Sequence, residues 1–212
     1  MTFTPGIYPI YKPKGITSFD VIFKLRKMTG IKKIGHAGTL DPLASGVLVV
    51  AIGREYTKQL EQLTLTDKEY EAEITLGQTS TTDDDEGEKT QFVVEEVPSE
   101  NSVHHVVQSF IGEINQLPPV YSAIKVKGVP AHRRVRKGQT VDLKPRKVVI
   151  HDIEIVSFSW PLLGIKVHCG KGVYIRSLAR DIGERLKVGG YLSELIRTRV
   201  GEYRLEDAVR IE

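Results

Sequence analysis

The sequence has few of the residues that oxidative or metal chemistry requires. Cys169 is the only cysteine among 212 residues, so an internal disulfide or a multi-cysteine zinc site is excluded. The longest apolar run, residues 47–52, is too short to cross a membrane. The first ten residues lack the basic start and apolar centre of a signal peptide. We therefore expect a soluble protein of the reducing cytoplasm.

Recognisable metal and phosphate motifs are also missing. His104 and His105 are adjacent and point different ways, and no histidine or cysteine spacing matches a zinc site. The acidic stretch 83–88 lacks the ligand spacing of a calcium loop. No P-loop, GxGxxG or GxSxG motif occurs. The sequence therefore predicts either chemistry without metal or cofactor, or binding alone.

Charge is distributed unevenly along the chain, although the net charge is only +3. Residues 121–147 carry nine lysines and arginines against one acid, Asp142. Residues 66–100 carry twelve acids against two lysines. A polyanion is attracted to the first segment and repelled by the second. The basic segment is a candidate contact for nucleic acid, with a solvated charged face as the alternative.

The hydrophobic pattern predicts a mixed α/β (α+β) single domain. Helices are expected at residues 17–30, 54–63, 99–112 and 173–186, and strands at 8–12, 47–52, 68–77, 119–128, 146–158 and 162–170. In the third of these strands, apolar residues alternate with glutamates, which is typical of a strand buried on one face. These elements predict a sheet flanked by helices. The sequence shows no clear domain boundary.

The stretch GHAGTLDPLASG, residues 35–46, carries one acid, Asp41, directly before Pro42. A proline restricts the residue before it to extended geometry, and the glycines allow close backbone approach. A buried strand follows immediately. Asp41 is therefore a candidate nucleophile held on a shaped loop, although Asp-Pro is also a common turn dipeptide.

Arg176 is the candidate partner of Asp41. It opens a predicted helix directly after a strand and a glycine turn, where a guanidinium could reach into a cleft and keep an acid charged. A surface arginine on a helix is the alternative.

Six motifs together resemble the bacterial tRNA pseudouridine synthase B family, in that family's order and across nearly the whole chain. They are KPKGITSFD, GHAGTLDPLASGVLVVAIG, DKEYEAEITLGQTSTTDDDEG, PPVYSAIKVKG, CGKGVYIRSLARDIGERL and RTRVGEYRLEDA. The resemblance implies the pseudouridine synthase fold, with a mainly antiparallel sheet flanked by helices. It also implies isomerisation of uridine 55 in the T-loop of tRNA by base flipping, without metal or cofactor.

The resemblance assigns roles residue by residue. Asp41 matches the catalytic aspartate, Tyr70 the active-site tyrosine and Arg176 the arginine paired with that aspartate. Tyr174 and Leu195 match the lining of the base pocket, His36 the residue that fills the gap left by the flipped base, and Asp84 the acid of a conserved loop. The other matched substrate-binding positions are Lys12 and Pro13, at the floor of the site, and Lys125.

The resemblance also describes the domain and its partners. Residues 1–212 form one catalytic domain, in which an insertion at about 119–147 resembles the loop that closes over the T-stem-loop. The basic residues of that loop are Lys127, Arg133, Arg134, Arg136 and Lys137. From the resemblance we expect no C-terminal RNA-binding (PUA) domain, and His132 and Arg133 stand where the family usually has a tyrosine and an acid. We expect a monomer that binds tRNA, without guide RNA or membrane.

Two other classes of function remain open at this stage. One is a non-catalytic RNA-binding or RNA-folding protein that keeps the scaffold. The other is a guide-dependent relative of the dyskerin type, which the short, continuous bacterial motifs disfavour. The presence of Asp41, Tyr70 and Arg176 together favours the enzyme, because binding alone does not require these three residues.

Overall fold

The computed structural model describes residues 3–122, 124–126, 128–135 and 137–211. It has a mixed α+β fold with a mostly antiparallel sheet, as predicted. The helices are α1 (Ser18–Thr29), α2 (Arg54–Thr57), α3 (Leu60–Thr64), α4 (Glu100–Gln108), α5 (Ala131–Val135) and α6 (Ile175–Arg185). None of these helices is long and apolar enough to span a membrane, within the residues described.

The strands are numbered in chain order. They are β1 (Gly6–Lys12), β2 (Ile34–Ala37), β3 (Ser45–Ile52), β4 (Lys68–Leu76), β5 (Gln78–Ser80), β6 (Lys89–Gln91), β7 (Gly112–Gln116), β8 (Lys125–Val126), β9 (Val129–Pro130), β10 (Arg146–Ser159), β11 (Leu162–Cys169), β12 (Gly190–Val200), β13 (Tyr203–Arg204) and β14 (Val209–Arg210).

The chain divides into two compact units. The first comprises Met1–Glu71, Val167–Lys171 and Glu194–Glu212, and the second comprises Ala72–Lys166 and Gly172–Ser193. Strands β4, β11 and β12 contribute residues to both units.

The first unit is built around the fully buried strand β3. Its strand order is β14-β1-β3-β12, with β2 also paired to β3 and β13 to β12. Strand β1 is antiparallel to β3, whereas β12 is parallel to it where Arg197 pairs with Gly46. Helix α1 begins with a capping box between Thr17 and Asp20, as its sequence indicates, and packs its apolar face on β3. This packing fixes the segment between β2 and β3.

The second unit contains the strand order β4-β11-β10-β7. Strand β10 is antiparallel to β7, and the hairpin β5–β6 lies outside that sheet. Helix α6 buries the apolar face that its spacing predicts, which consists of Ile175, Leu178, Ala179 and Ile182. This helix carries Arg176 in its first turn.

Two sequence-based element assignments were wrong, and several strands, β7 and β12 among them, were not predicted. The helix expected at 54–63 is two short helices, because the chain makes a tight turn at Gln59, whose N–H bonds to the Tyr56 carbonyl. Within the described residues, the strand expected at 119–128 is reduced to Lys125–Val126, which ends where the chain turns at Gly128, with φ +82°, into β9. Strand β7 has one large apolar residue, Ile114, and the apolar pattern of β12 is interrupted by Glu194, Arg197 and Arg199, so neither strand shows a clear alternation.

Candidate active site

Asp41 lies on the loop that connects β2 to β3 in the first unit. The loop is bounded by Gly38 and Gly46, with φ of +81° and +109°. A Cβ on Gly46 would lie 2.2 Å from the carbonyl oxygen of Arg197, far inside van der Waals contact. Only glycine therefore fits at this position, and the loop enters β3 against the backbone of β12.

Backbone hydrogen bonds hold the loop on both sides of Asp41. The N–H of Leu40 donates to Oγ of Ser18 (2.8 Å), and that hydroxyl donates to the Leu40 carbonyl (3.0 Å). The N–H of Gly15 donates to the Pro42 carbonyl (2.8 Å), and the N–H of Ala44 donates to the Asp41 carbonyl (3.0 Å). Because α1 supplies Ser18, the packing of that helix positions the Asp41 backbone.

Tyr70 lies on β4 in the same unit, and its side chain is buried. Burial raises the pKa of its phenol above 10.0; the Arg197 cation and a hydrogen bond from Arg197 oppose that shift, and the nearby Asp41 charge adds to it. Tyr70 is therefore a neutral hydroxyl at physiological pH. Burial also raises the pKa of the neighbouring Cys169 thiol to about 12, so this thiol is no nucleophile.

Arg197 on β12 is a site residue that the sequence analysis missed. Its side chain is buried, its Nε donates to the Val47 carbonyl (2.8 Å) and its Nη2 donates to the Gly38 carbonyl (3.1 Å). The segment RTRVG, in which Arg197 stands close to Arg199, has the composition of an exposed charged strand. This segment belongs to the last of the six motifs, which was the one signal that could have indicated Arg197. The pairing of β12 with β3 brings the Arg197 side chain into contact with the Asp41 loop.

Four further sequence-predicted residues lie in the first unit. Lys12 is fully buried, and its ammonium donates to the carbonyls of Pro13 (2.8 Å) and Ile16 (2.7 Å). Pro13 itself is exposed, and Leu195 is buried on β12. Burial and then the Arg197 cation lower the pKa of His36 on β2, which makes its imidazole neutral near pH 7. The buried Lys12 ammonium therefore stabilises the loop that precedes α1 through hydrogen bonds to two of its carbonyls.

Arg176 and Asp84 lie together in the second unit. The Arg176 Nη1 is 3.4 Å from Oδ2 of Asp84, and both side chains are buried. Arg176 also donates to the carbonyls of Thr82 (3.2 Å) and Tyr121 (2.9 Å). The Asp84 carboxylate accepts hydrogen bonds from the Thr82 hydroxyl and the Glu86 N–H. Arg176 is thus not the surface helical arginine of the alternative interpretation. The pairing of Arg176 with Asp41 stays a prediction.

One turn further along α6, Arg180 contacts the same two segments as Arg176, one around residues 82–84 and the other around residues 117–121. Its guanidinium contacts Asp83 (2.9 Å) and Asp181 (2.7 Å) and donates to the Leu117 carbonyl (2.9 Å). Burial raises the pKa of Asp83, and the cations of Arg180 and Arg176 oppose this shift. The backbone of Tyr174, which begins the helix, makes two hydrogen bonds with the Gln116 side chain. These contacts order the residues that precede the predicted RNA-closing loop.

The basic loop is described in part. Arg133 and Lys137 are exposed and Arg134 is partly exposed, with Arg133 and Arg134 on the short helix α5. The predicted residues Lys127 and Arg136, and the side chain of Lys125, lie outside the described part of the chain. The described cations are accessible to a polyanion.

The first unit thus combines an aspartate on a glycine-bounded loop with a buried tyrosine, on a mostly antiparallel sheet. The chain belongs to the TruB family of pseudouridylate synthases. The profile of the TruB family pseudouridylate synthase N-terminal domain matches residues 26–175. That of the tRNA pseudouridylate synthase B C-terminal domain matches residues 176–212.

Similar curated proteins carry the name tRNA pseudouridine synthase B. The protein from Thermobifida fusca (strain YX) is 45% identical, over 98% of this chain and 73% of its own length. That from Mycobacterium sp. (strain KMS) is 47% identical, over 98% of this chain and 71% of its own length. Pseudouridine synthases are isomerases, and the resemblance inferred from the six motifs is confirmed.

The fold also matches solved structures of related enzymes. A chain in a Cbf5-Nop10-Gar1 complex superposes with a TM-score of 0.74 at 32% identity, over 97% of this chain and 52% of that one. A chain of an H/ACA RNP bound to a substrate RNA superposes with a TM-score of 0.71 at 30% identity, over 97% of this chain and 50% of that one. The chain therefore spans about half the length of these structures.

Proposed function

We propose that this chain isomerises uridine 55 in the T-loop of tRNA to pseudouridine, the product that tRNA pseudouridine synthase B makes. The observation that carries the proposal is the Asp41 carboxylate on a loop held at Leu40, Pro42 and Asp41 itself, with Tyr70 nearby. A carboxylate fixed in this way can act on a sugar or a base without further cofactor chemistry.

The reaction exchanges two bonds within one nucleotide. The N1–C1′ glycosidic bond breaks, the detached uracil turns, and C5 bonds to C1′; C5 then loses its proton and N1 gains one. A side chain cannot reach these atoms in a stacked loop, so the nucleotide is flipped into the site. The Asp41 carboxylate forms an adduct with the sugar or the base while the ring turns. Atoms and charge balance, as an isomerisation requires.

The other predicted residues have supporting roles in this proposal. The buried Tyr70 ring stacks on the extruded base, and Tyr174 and Leu195 line its pocket. His36, a neutral imidazole, takes the space that the base leaves in the RNA. Arg176 pairs with Asp41, and Lys12 with Pro13 shapes the floor of the site. Asp84 holds Arg176, which its 3.4 Å ion pair supports.

Partner and domain organisation follow from the same proposal. TruB-type enzymes act on tRNA, and we propose that this chain acts as a monomer on free tRNA in the cytoplasm, without a guide RNA. Its identity of 45–47% to the tRNA pseudouridine synthase B proteins exceeds the 30–32% to the guide-dependent assemblies. We treat residues 1–212 as one catalytic domain, because three strands contribute residues to both units.

A direct assay tests this function. The purified chain, without other protein or RNA, is incubated with an unmodified tRNA transcript, and pseudouridine is mapped by chemical adduct formation and primer extension. We expect pseudouridine at position 55 and none in a transcript that has cytidine there. Tight tRNA binding without product would support a non-catalytic RNA-binding protein instead, and product only after addition of a guide RNA would support the dyskerin-type alternative.

Replacing Arg133, Arg134 and Arg136 together by alanine is expected to weaken tRNA binding strongly at moderate salt. Each neutralised phosphate releases roughly 0.7–0.9 counterion, so loss of three contacts flattens the plot of log affinity against log salt by about two to three units. The saturated turnover rate should change much less, because no role at the reacting base is proposed for these arginines. Affinity measured across a salt series checks both statements.

A matched control removes the same charge elsewhere, by changing the exposed residues Lys58, Lys166 and Arg204 to alanine. This variant should keep the wild-type salt slope. If the loop variant also keeps it, the loop is a solvated face, and the RNA contacts belong instead around Lys14, Lys32 and Lys33.

A further inference from the structure

The Arg197 guanidinium bridges the two ends of the Asp41 loop. One donor bonds to the carbonyl of Gly38, three residues before Asp41, and another bonds to the carbonyl of Val47, six residues after it. Both bonds have ordinary lengths, 3.1 and 2.8 Å, and the side chain is buried. A single side chain therefore fixes where the loop leaves β2 and where it enters β3.

The same guanidinium lies near the Tyr70 phenol, because the Arg197 cation opposes the rise that burial causes in the pKa of this phenol. Tyr70 belongs to β4, an element distinct from the loop. Burial and then the Arg197 cation lower the pKa of His36 on β2 and of Lys68 on β4. Groups on two strands therefore lie within the field of this charge.

Only an arginine can make these contacts at once. Its planar guanidinium has five N–H donors in a fixed fork, whereas a lysine ammonium is a single point on a flexible stem. The backbone contributes to the fit, since Gly46 pairs with Arg197 across the two strands and leaves no room for a Cβ. The glycine and the arginine therefore form one structural unit.

We infer that Arg197 is a positioning residue for the isomerisation, which holds both ends of the Asp41 loop next to the Tyr70 hydroxyl. Arg197 does not contact the substrate in this role, and it acts through Asp41, which forms the adduct, and Tyr70, which stacks on the base. The inference rests on the proposed function. Loss of its contacts should slow the chemical step and leave RNA binding almost unchanged, because the buried side chain presents no charge to the tRNA surface.

Arg197→Lys tests the inference, with Arg199→Lys as the matched control. Arg199 is two residues further on β12, partly exposed, and pairs with Glu69 at 2.6 Å. For Arg197→Lys we expect a single-turnover rate about 10²-fold below that of the wild type, with tRNA affinity within about threefold. Arg199→Lys should match the wild type in both. Thermal unfolding shows which variants are folded.

A double-mutant cycle distinguishes positioning from general support of the fold. If Arg197 acts through Tyr70, the rate loss on Arg197→Lys is smaller by at least about fivefold in a Tyr70→Phe background than in the wild type. Rate losses that multiply without coupling, or a rate of Arg197→Lys within about threefold of the wild type, would overturn the inference.

A second measurement serves if Arg197→Lys does not fold. In protein labelled with isotopic arginine, a buried, hydrogen-bonded guanidinium gives a slowly exchanging Nε–H signal by NMR. Tyr70→Phe should shift the Arg197 signal and leave that of Arg199 in place. An unchanged Arg197 signal contradicts the proposed link. Absence of product with the wild-type chain would contradict the proposed function alone, since the NMR result does not depend on activity.

Discussion

Replacing Asp41 by asparagine should lower the rate of pseudouridine formation by at least about 10³-fold, a barrier increase of about 4 kcal/mol. The amide has nearly the same shape as the carboxylate, so the hydrogen bonds of the loop at Leu40, Pro42 and the Asp41 carbonyl are kept. It lacks the charge and the nucleophilic oxygen that the adduct requires. Binding of the T-arm should stay within about tenfold, or roughly 1.4 kcal/mol.

The loss of catalytic rate and any loss of RNA binding are distinguished by measuring single-turnover product formation and tRNA affinity on the same preparation of Asp41→Asn. Asp207→Asn, which neutralises an exposed aspartate of the same unit, is the control for loss of one negative charge and should behave as the wild type. Near wild-type turnover by Asp41→Asn would remove Asp41 from the mechanism.

The second large effect is expected for Arg176→Lys, whose kcat should be lower than that of the wild type by about 10²-fold or more. The Arg176 guanidinium contacts the Asp84 carboxylate and two backbone carbonyls simultaneously. A lysine keeps the positive charge but cannot reproduce this geometry, and the Asp84 carboxylate is buried, where an unsatisfied charge is costly. The kcat and KM of the purified variant, with its thermal midpoint, give the measurement.

Arg185→Lys provides a matched control on the same helix. Arg185 lies in the last turn of α6 and packs on the ring of Phe110 at 4.1 Å, with no proposed role in the reaction. Its kcat should stay within about threefold of the wild type. A similar kcat for Arg176→Lys would show that the Arg176 contacts serve only the structure.

The local features of the fold were predictable because each depends on residues close in sequence. The capping box at Thr17 and Asp20 marks the start of α1, and Gly30 in the left-handed region ends it. The alternation in β4 gave its buried face correctly. Strands β7 and β12 depend instead on partners far away in the chain, such as the pairing of Arg197 with Gly46, and no local period reveals such a pairing.

The residues of the candidate site also fall into two groups, those that local sequence identifies and those that only the tertiary structure reveals. Asp41 was identifiable from one short stretch, since proline and glycine impose their backbone geometry locally. Arg197 was not identifiable, because an arginine in a charged strand is usually exposed and its burial depends on the β3–β12 contact. Asp84 was assigned to substrate binding by resemblance, whereas its buried contact with Arg176 could be seen only once the loop and α6 were placed.

Leu117, just before the predicted RNA-closing loop, and Tyr121, near its start, are held through their backbone carbonyls. Arg180 and Ser177 donate to the carbonyl of Leu117, and Arg176 donates to that of Tyr121. Every amino acid supplies such a carbonyl, so these attachments put little selective constraint on side chains at the two accepting positions. The sequence that follows can therefore change by drift or insertion without disturbing the contacts of Arg176 and Arg180.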